Sequence, residues 1–225
     1  MAAGSPWAAA LPDPVTGRLP TTGEVLCVLL PASDCAGTWS VAGASLLERA
    51  VATVRAAVPG CAVITSPLEA GLAYLVDSSD AELVLVHDPT YALMTPELVR
   101  LVQDAVDGPD AAAVLVTAVT DTLKRVGADN RLRETVDRGV VQALIGPLAV
   151  TPPVLAATLA AVRLQGPADE RLVALVEAIE RLVGVRRVVV DNPGPRSHRV
   201  VTQDDARYAD ALLASRAAAT GRSPA

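Results

Sequence analysis

Glu82-Leu-Val-Leu-Val-His-Asp88 is an apolar run that stops at two polar residues and then at Pro89. Aliphatic and β-branched residues in an unbroken row predict a strand buried on both faces, as in a parallel sheet, rather than one with a wet face. Such a strand hands its last residues, here His87 and Asp88, to the carboxyl rim of the sheet, where open α/β folds place their ligands. A second strand, read at residues 24–31, opens into Ala32-Ser-Asp-Cys-Ala-Gly-Thr-Trp39, a loop without Lys or Arg. One loop therefore brings a carboxylate to the rim, and the other brings no cation to meet an anionic ligand.

Outward from that strand the chain alternates: strand 24–31, helix 44–58, strand 61–65, helix 68–77, strand 82–87, helix 96–107, strand 111–118. Short apolar runs separated by helical periods predict right-handed βαβ units and a three-layer α/β/α fold around a mostly parallel sheet. Then the pattern changes. Val119–Val126 alternates polar and apolar residues, Gly127-Ala-Asp-Asn130 makes a turn, and Arg131–Arg138 continues the alternation. A half-exposed hairpin follows, a projecting β-arm over about 119–146 suited to dimerisation. Thr151-Pro152 reads as an N-cap and first-turn proline for a helix to about Leu164, and a further helix runs from Asp169 to about Val183. A strand at 185–190 and a short one near 199–201 precede a last helix, opened by the capping-box-like Thr202-Gln-Asp-Asp205. Residues 1–22 and 217–225 lack periodicity and read as a disordered lead and a flexible tail, leaving a single domain over 23–216.

Composition removes whole classes of function. A net charge of −6 argues against a surface that tracks a phosphate backbone, and the absence of Phe leaves few platforms for stacking bases, so nucleic acid is not an expected partner. Cys27, Cys35 and Cys61 are odd in number and not closely paired, which suits small buried hydrophobes better than a disulfide framework or a zinc site. No apolar run reaches the ~20 residues that cross a bilayer, and no charged-then-apolar leader is seen, so the expected location is cytoplasmic.

Val84-Leu-Val-His-Asp88, Asp121-Thr-Leu-Lys124 with Val126, Asp137-Arg138, and Arg199-Val-Val-Thr-Gln-Asp-Asp205 before an Ala-rich helix occur in that order. With Val41–Ala50, these segments resemble the 2-C-methyl-D-erythritol 4-phosphate cytidylyltransferases, which carry the nucleotidyltransferase fold and move CMP from CTP to a sugar-alcohol phosphate in isoprenoid precursor synthesis. The resemblance implies a nucleotide loop at Ala32, Ser33 and Gly37, magnesium on Asp88, and sugar-phosphate binding by Thr122, Arg138 and Arg199. By the same resemblance Arg199 takes the place of the family's catalytic Lys, and a homodimer through the arm is expected.

The departures fall on the nucleotide side. The family's loop Arg and the Pro-Lys after it, which stabilise charge developing on the α-phosphate, are absent, and Asp34 adds a negative charge there. The Gly-Gly-x-x-Arg-x-x-Ser segment that reads cytosine has no counterpart in Ser66–Ala73, Tyr91 replaces an Arg, and Pro193–His198 lacks the second metal-side Asp. Arg199 keeps the charge of the Lys it replaces but not its shape.

Each sharp reading has a plain rival. Asp88 is a metal-side ligand or a turn-forming Asp; His87 packs and hydrogen-bonds locally or takes part in chemistry; His198 binds an anion or sits in a solvated loop. Trp39 caps a vacated cleft or simply packs, and Arg186 and Arg187 lie on a solvated face or form a patch. Three functions are open: a divergent family member with weak or lost transfer that binds an anionic small molecule; an active cytidylyltransferase completed by a partner's cations; and a non-enzymatic dimeric interaction protein.

Overall fold

The computed structural model describes residues 25–29, 39–65, 81–109, 111–161, 168–191 and 193–220. The elements in chain order are β1 (Val25–Leu29), β2 (Ser40–Val41), β3 (Ala44–Ser45), α1 (Leu46–Ala57), β4 (Ala62–Thr65), β5 (Leu83–His87), α2 (Pro96–Gln103), β6 (Ala112–Ala118), β7 (Leu123–Val126) and β8 (Leu132–Val136). They continue with β9 (Gln142–Val150), α3 (Pro152–Ala161), α4 (Ala168–Leu182), β10 (Arg186–Val189) and α5 (Gln203–Thr220). The helix expected at 68–77 lies outside the described residues, as do the lead, the nucleotide loop and the last residues of the tail.

The main sheet runs β10-β6-β9-β5-β1-β4. All its neighbours pair in parallel except β9, which is antiparallel to both β5 and β6. Alternation along the strands divides the core between two faces. Val84, Val86, Val114, Val116, Leu148 and Val150 meet Val154 and Leu155 of α3 and Leu172, Leu175 and Ile179 of α4. Leu85, Ala113, Leu115 and Ala149 meet Ala50 and Val54 of α1 and Leu98, Val99 and Val102 of α2. Helices on both faces of one sheet make the three-layer α/β/α architecture that the alternating pattern predicts.

β9 was not expected. It enters the middle of the sheet carrying Gly146 and Pro147, and a proline argues against a central strand because it donates no ladder hydrogen bond. The β6–β9 register shifts between Val114 and Val116, opposite that stretch, and β5 pairs only with residues 148–150 of β9. The missing donor therefore falls where the ladder is already interrupted. Leu148, fully buried between Val86 and Val114, lies on the regular side of the break. Leu148→Ala is expected to cost about 3–4 kcal/mol in urea unfolding, the usual penalty for a large cavity in a closed core.

Helix starts follow local chemistry. In α1 the Glu48 amide donates to Ser45 Oγ at 3.2 Å and the Ser45 amide to Glu48 Oε2 at 2.7 Å, a capping box that sets the start at Leu46. α5 opens in the expected way, with Asp205 N–H donating to Thr202 Oγ1 at 3.2 Å and Thr202 N–H to Asp205 Oδ2 at 2.8 Å. Its last turn carries the helix to Thr220, past the point at which the tail was read to begin. Ahead of α3 the Thr151 hydroxyl donates to Ala111 O at 3.4 Å, and among the described residues no bond from the α3 backbone to it is seen. No strand forms at 199–201. Val200 N–H donates to Thr90 O at 2.8 Å, and the segment passes the loop after β5 as irregular chain.

The arm leaves after β6 and returns into β9. β7 and β8 pair antiparallel as a separate two-stranded sheet, from Leu123 opposite Val136 to Val126 opposite Leu132. Ion pairs lace its surface, Arg125 with Glu134 at 2.6 Å and Arg133 with Asp129 at 2.9 Å, while Val126, Leu132 and Val140 stay exposed. No helix among the described residues is long and apolar enough to cross a membrane.

Candidate functional site

The strand β5 ends at the sheet's rim, and the turn that follows folds its polar residues back on themselves. Asp88 Oδ1 accepts the Thr90 amide at 2.9 Å and the Thr90 hydroxyl at 2.7 Å, the two-residue reach with which Asp side chains close turns. Both residues are buried, Asp88 at 5 % and Thr90 at 0 % exposure. Asp88 Oδ2 faces Arg199 Nη2 at 3.4 Å, and Arg199 Nε donates to Thr90 Oγ1 at 3.2 Å. The Val200–Thr90 backbone bond carries Arg199 to this point.

Tyr91 completes the cluster. Its ring lies 5.7 Å from the Arg199 guanidinium carbon, within cation–π range, and its hydroxyl donates to Leu144 O of β9 at 2.9 Å. Burial pushes the phenol up to about 12 against the opposing pull of Arg199, with Asp88 adding to the rise, so it stays a neutral donor. His87, one residue back, is buried with neither ring nitrogen partnered among the described residues. It packs, but the local hydrogen bond read for it does not form. Burial pushes the imidazole down to about 4, outweighing the upward pull of the Asp88 charge.

The other residues singled out in the sequence lie apart from this cluster. Thr122 is exposed just before β7, and Arg138 Nη1 donates to Thr120 O at 2.5 Å, tying the base of the arm. Among the described residues neither hydrogen-bonds to the Asp88–Arg199 cluster. Ala32, Ser33 and Gly37 lie outside the described residues. His198 is held at the start of α5, its Nε2 3.8 Å from Asp205 Oδ1 and its ring edge-on to Tyr208 at 4.9 Å. Trp39 packs on Leu46, Ala92 and α5, and its indole nitrogen is buried without a partner among the described residues. Arg187 pairs with Glu180, and Arg186 donates to Ala105 O at 3.2 Å; both residues are exposed, as a solvated face requires. Thr90 is the member of the cluster that the sequence reading missed. Asp88-Pro-Thr90, an Asp two residues before a hydroxyl, was the signal for it.

Magnesium, implied by the resemblance, fits this donor set poorly. Among the described residues no three Cys, His, Asp or Glu side chains approach closely enough to hold an ion. Among the described residues Asp88 is the carboxylate of this cluster, with Oδ1 taken by two hydrogen bonds and Oδ2 fronted by a guanidinium. A hard cation seeking several oxygens would meet a positive charge already in its place.

The model of the family "2-C-methyl-D-erythritol 4-phosphate cytidylyltransferase" matches residues 46–215. A curated cytidylyltransferase of that name from Saccharopolyspora erythraea is 35% identical over 136 residues, 60% of this chain and 57% of its own length. One from Prochlorococcus marinus (strain MIT 9301) is 41% identical over 68 residues, 30% of each chain. The chain thus spans about a third of the length of several curated relatives it matches. Among solved structures, the 4-diphosphocytidyl-2C-methyl-D-erythritol synthase of Anaerococcus prevotii aligns with a TM-score of 0.67 at 18% identity, over 85% of this chain and 98% of that one. The cytidylyltransferase of Thermus thermophilus aligns at 0.62 and 22%, over 84% and 98%. At such identities the likeness speaks for the fold.

Proposed function

Because this chain belongs to the 2-C-methyl-D-erythritol 4-phosphate cytidylyltransferase family, we propose that it is a divergent member whose cytidylyl transfer is weak or lost and whose rim still binds an anionic small molecule. The observation that carries this reading is the mutual neutralisation of Asp88 and Arg199, with Tyr91 standing where the family has a further Arg. A triphosphate needs several uncompensated donors and cations, and each such group lost from a phosphoryl-transfer site typically costs about 10²-fold in rate. The cation-free loop at Ala32–Ser40 removes two more. On the substrate side, Arg199 would take the anionic group, with Thr122 and Arg138 as candidate second contacts from the base of the arm.

The same reading makes the chain a cytoplasmic homodimer with one domain over residues 23–216. Support for the dimer lies in the arm: an isolated two-stranded hairpin is marginal in water, and this one exposes Leu132 at 73 % and Val140 at 77 %. The arm also favours a second reading, an active cytidylyltransferase in which a partner's arm returns the missing cations, since Arg138 is exposed there.

Release of pyrophosphate from CTP, methylerythritol phosphate and Mg²⁺ separates the two. The expected rate is at least about 10²-fold below that of a family member assayed alongside. Calorimetric titration with CTP is expected to be silent. A rate equal to the control would establish the second reading and sink the first.

A further inference from the structure

A carboxylate as far from water as Asp88 needs both hydrogen bonds and an opposite charge. In phosphoryl-transfer sites the opposite charge is commonly a divalent ion, held by one or two carboxylates together with the substrate's phosphates. Here the chain supplies both requirements itself. Thr90 gives Oδ1 its two hydrogen bonds, and Arg199 stands at 3.4 Å from Oδ2.

We propose that Arg199 is the resident cation of this rim, standing against Asp88 in place of a divalent metal, so that the site takes a phosphomonoester without metal. The inference rests on the anion-binding reading above and deepens it.

The geometry is that of a cation fixed in advance. A guanidinium has five N–H donors in a planar fork. Arg199 uses Nε–H on Thr90 Oγ1 and one Nη2 hydrogen on Asp88, which leaves Nη1 and the second Nη2 hydrogen without partners among the described residues. The Arg199 side chain is 32% exposed, whereas that of its partner Asp88 is 7% exposed, so the pair reaches from the buried turn to solvent through Arg199. Tyr91 lies within cation–π range of the guanidinium and is itself tied to β9 through Leu144 O. The Val200–Thr90 backbone bond holds the neighbouring residue. Paired N–H groups on a planar cation match two oxygens of a phosphate, and Lys, a point charge, cannot present that fork. Mg²⁺ would have to expel Arg199 from Asp88 and then sit beside it, like charge against like.

The test uses the full chain and Arg199→Gln, titrated with methylerythritol phosphate in excess EDTA and again in excess MgCl₂, with thermal unfolding in Mg²⁺ alone as a second readout. For the native chain, Kd is expected to agree within about twofold in the two buffers, and Mg²⁺ alone is expected to leave Tm unchanged. Arg199→Gln should weaken binding by about tenfold or more, the usual loss when a charged hydrogen-bond donor goes. Its Tm should now rise with Mg²⁺, because Asp88 has lost its internal cation. Binding by the native chain that vanishes in EDTA, or a native Tm that Mg²⁺ raises, overturns the proposal. If the native chain binds no phosphomonoester in either buffer, the anion-binding reading falls, and the two Tm responses still decide whether Arg199 stands in for the metal. Should Arg199→Gln fail to fold, the native chain's response to EDTA and Mg²⁺ decides alone.

Discussion

Acidification from about pH 7.5 to about pH 5 is expected to cost the folded chain about 2 kcal/mol through His87 alone. Burial pushes the imidazole from its ordinary value of 6.5 down to about 4, against the weaker upward pull of the Asp88 charge, and neither ring nitrogen has a hydrogen-bond partner among the described residues. Between those values the unfolded chain binds a proton that the folded chain refuses. The stability associated with a neutral His87 is therefore complete above about pH 6.5 and drains away as pH falls towards 4. His87→Leu, similar in bulk and without nitrogens to satisfy, should unfold in urea at pH 7.5 no more easily than the native chain and should lose most of this acid sensitivity. Equal losses in both proteins between the two pH values would assign the sensitivity to other groups.

Asp88→Ala is expected to cost about 2–4 kcal/mol, because it strips a buried amide and hydroxyl of Thr90 of their acceptor and leaves Arg199 without its counter-charge. Asp88→Asn keeps an acceptor for Thr90 and loses only the charge, so it should fall between the two in urea unfolding. Residues retained for a ligand at the expense of the fold behave in the opposite way: removing them commonly stabilises. An Asp88→Ala protein as stable as the native chain would therefore return this residue to a purely ligand-side role, and the turn reading would be lost.

Much of this was legible in residues. The run Glu82–Asp88 gave a strand buried on both faces with its acid at the rim, because sustained aliphatic burial leaves an unbroken pattern in sequence. The arm showed itself through polar–apolar alternation, and the start of α5 through Thr202 and Asp205. β9 stayed hidden for a specific reason: Gly146 and Pro147 speak against a central strand, and only the pairing with β6 shows where they go, since β9 takes four residues from Leu148 to Leu144 while β6 takes two from Val114 to Val116. The neutralised state of Asp88 was equally out of reach. It depends on Arg199 arriving 111 residues later in the chain at 3.4 Å, and on Thr90, whose role is legible only once the turn is built. Sequence resemblance could align Arg199 with a catalytic position; it could not show that the side chain is already engaged.

Ala118 and Gln142 face one another as a cross-strand pair of β6 and β9. Residues 119–141, the whole arm, are therefore an excursion that opens and closes on a single rung of the ladder. Nothing in the spacing of that rung depends on what the excursion contains. Such a site works as a socket: the cassette plugged into it can lengthen, shrink or change its charge pattern while the sheet keeps its register. The projecting hairpin can thus be rewritten without rewriting the part that folds.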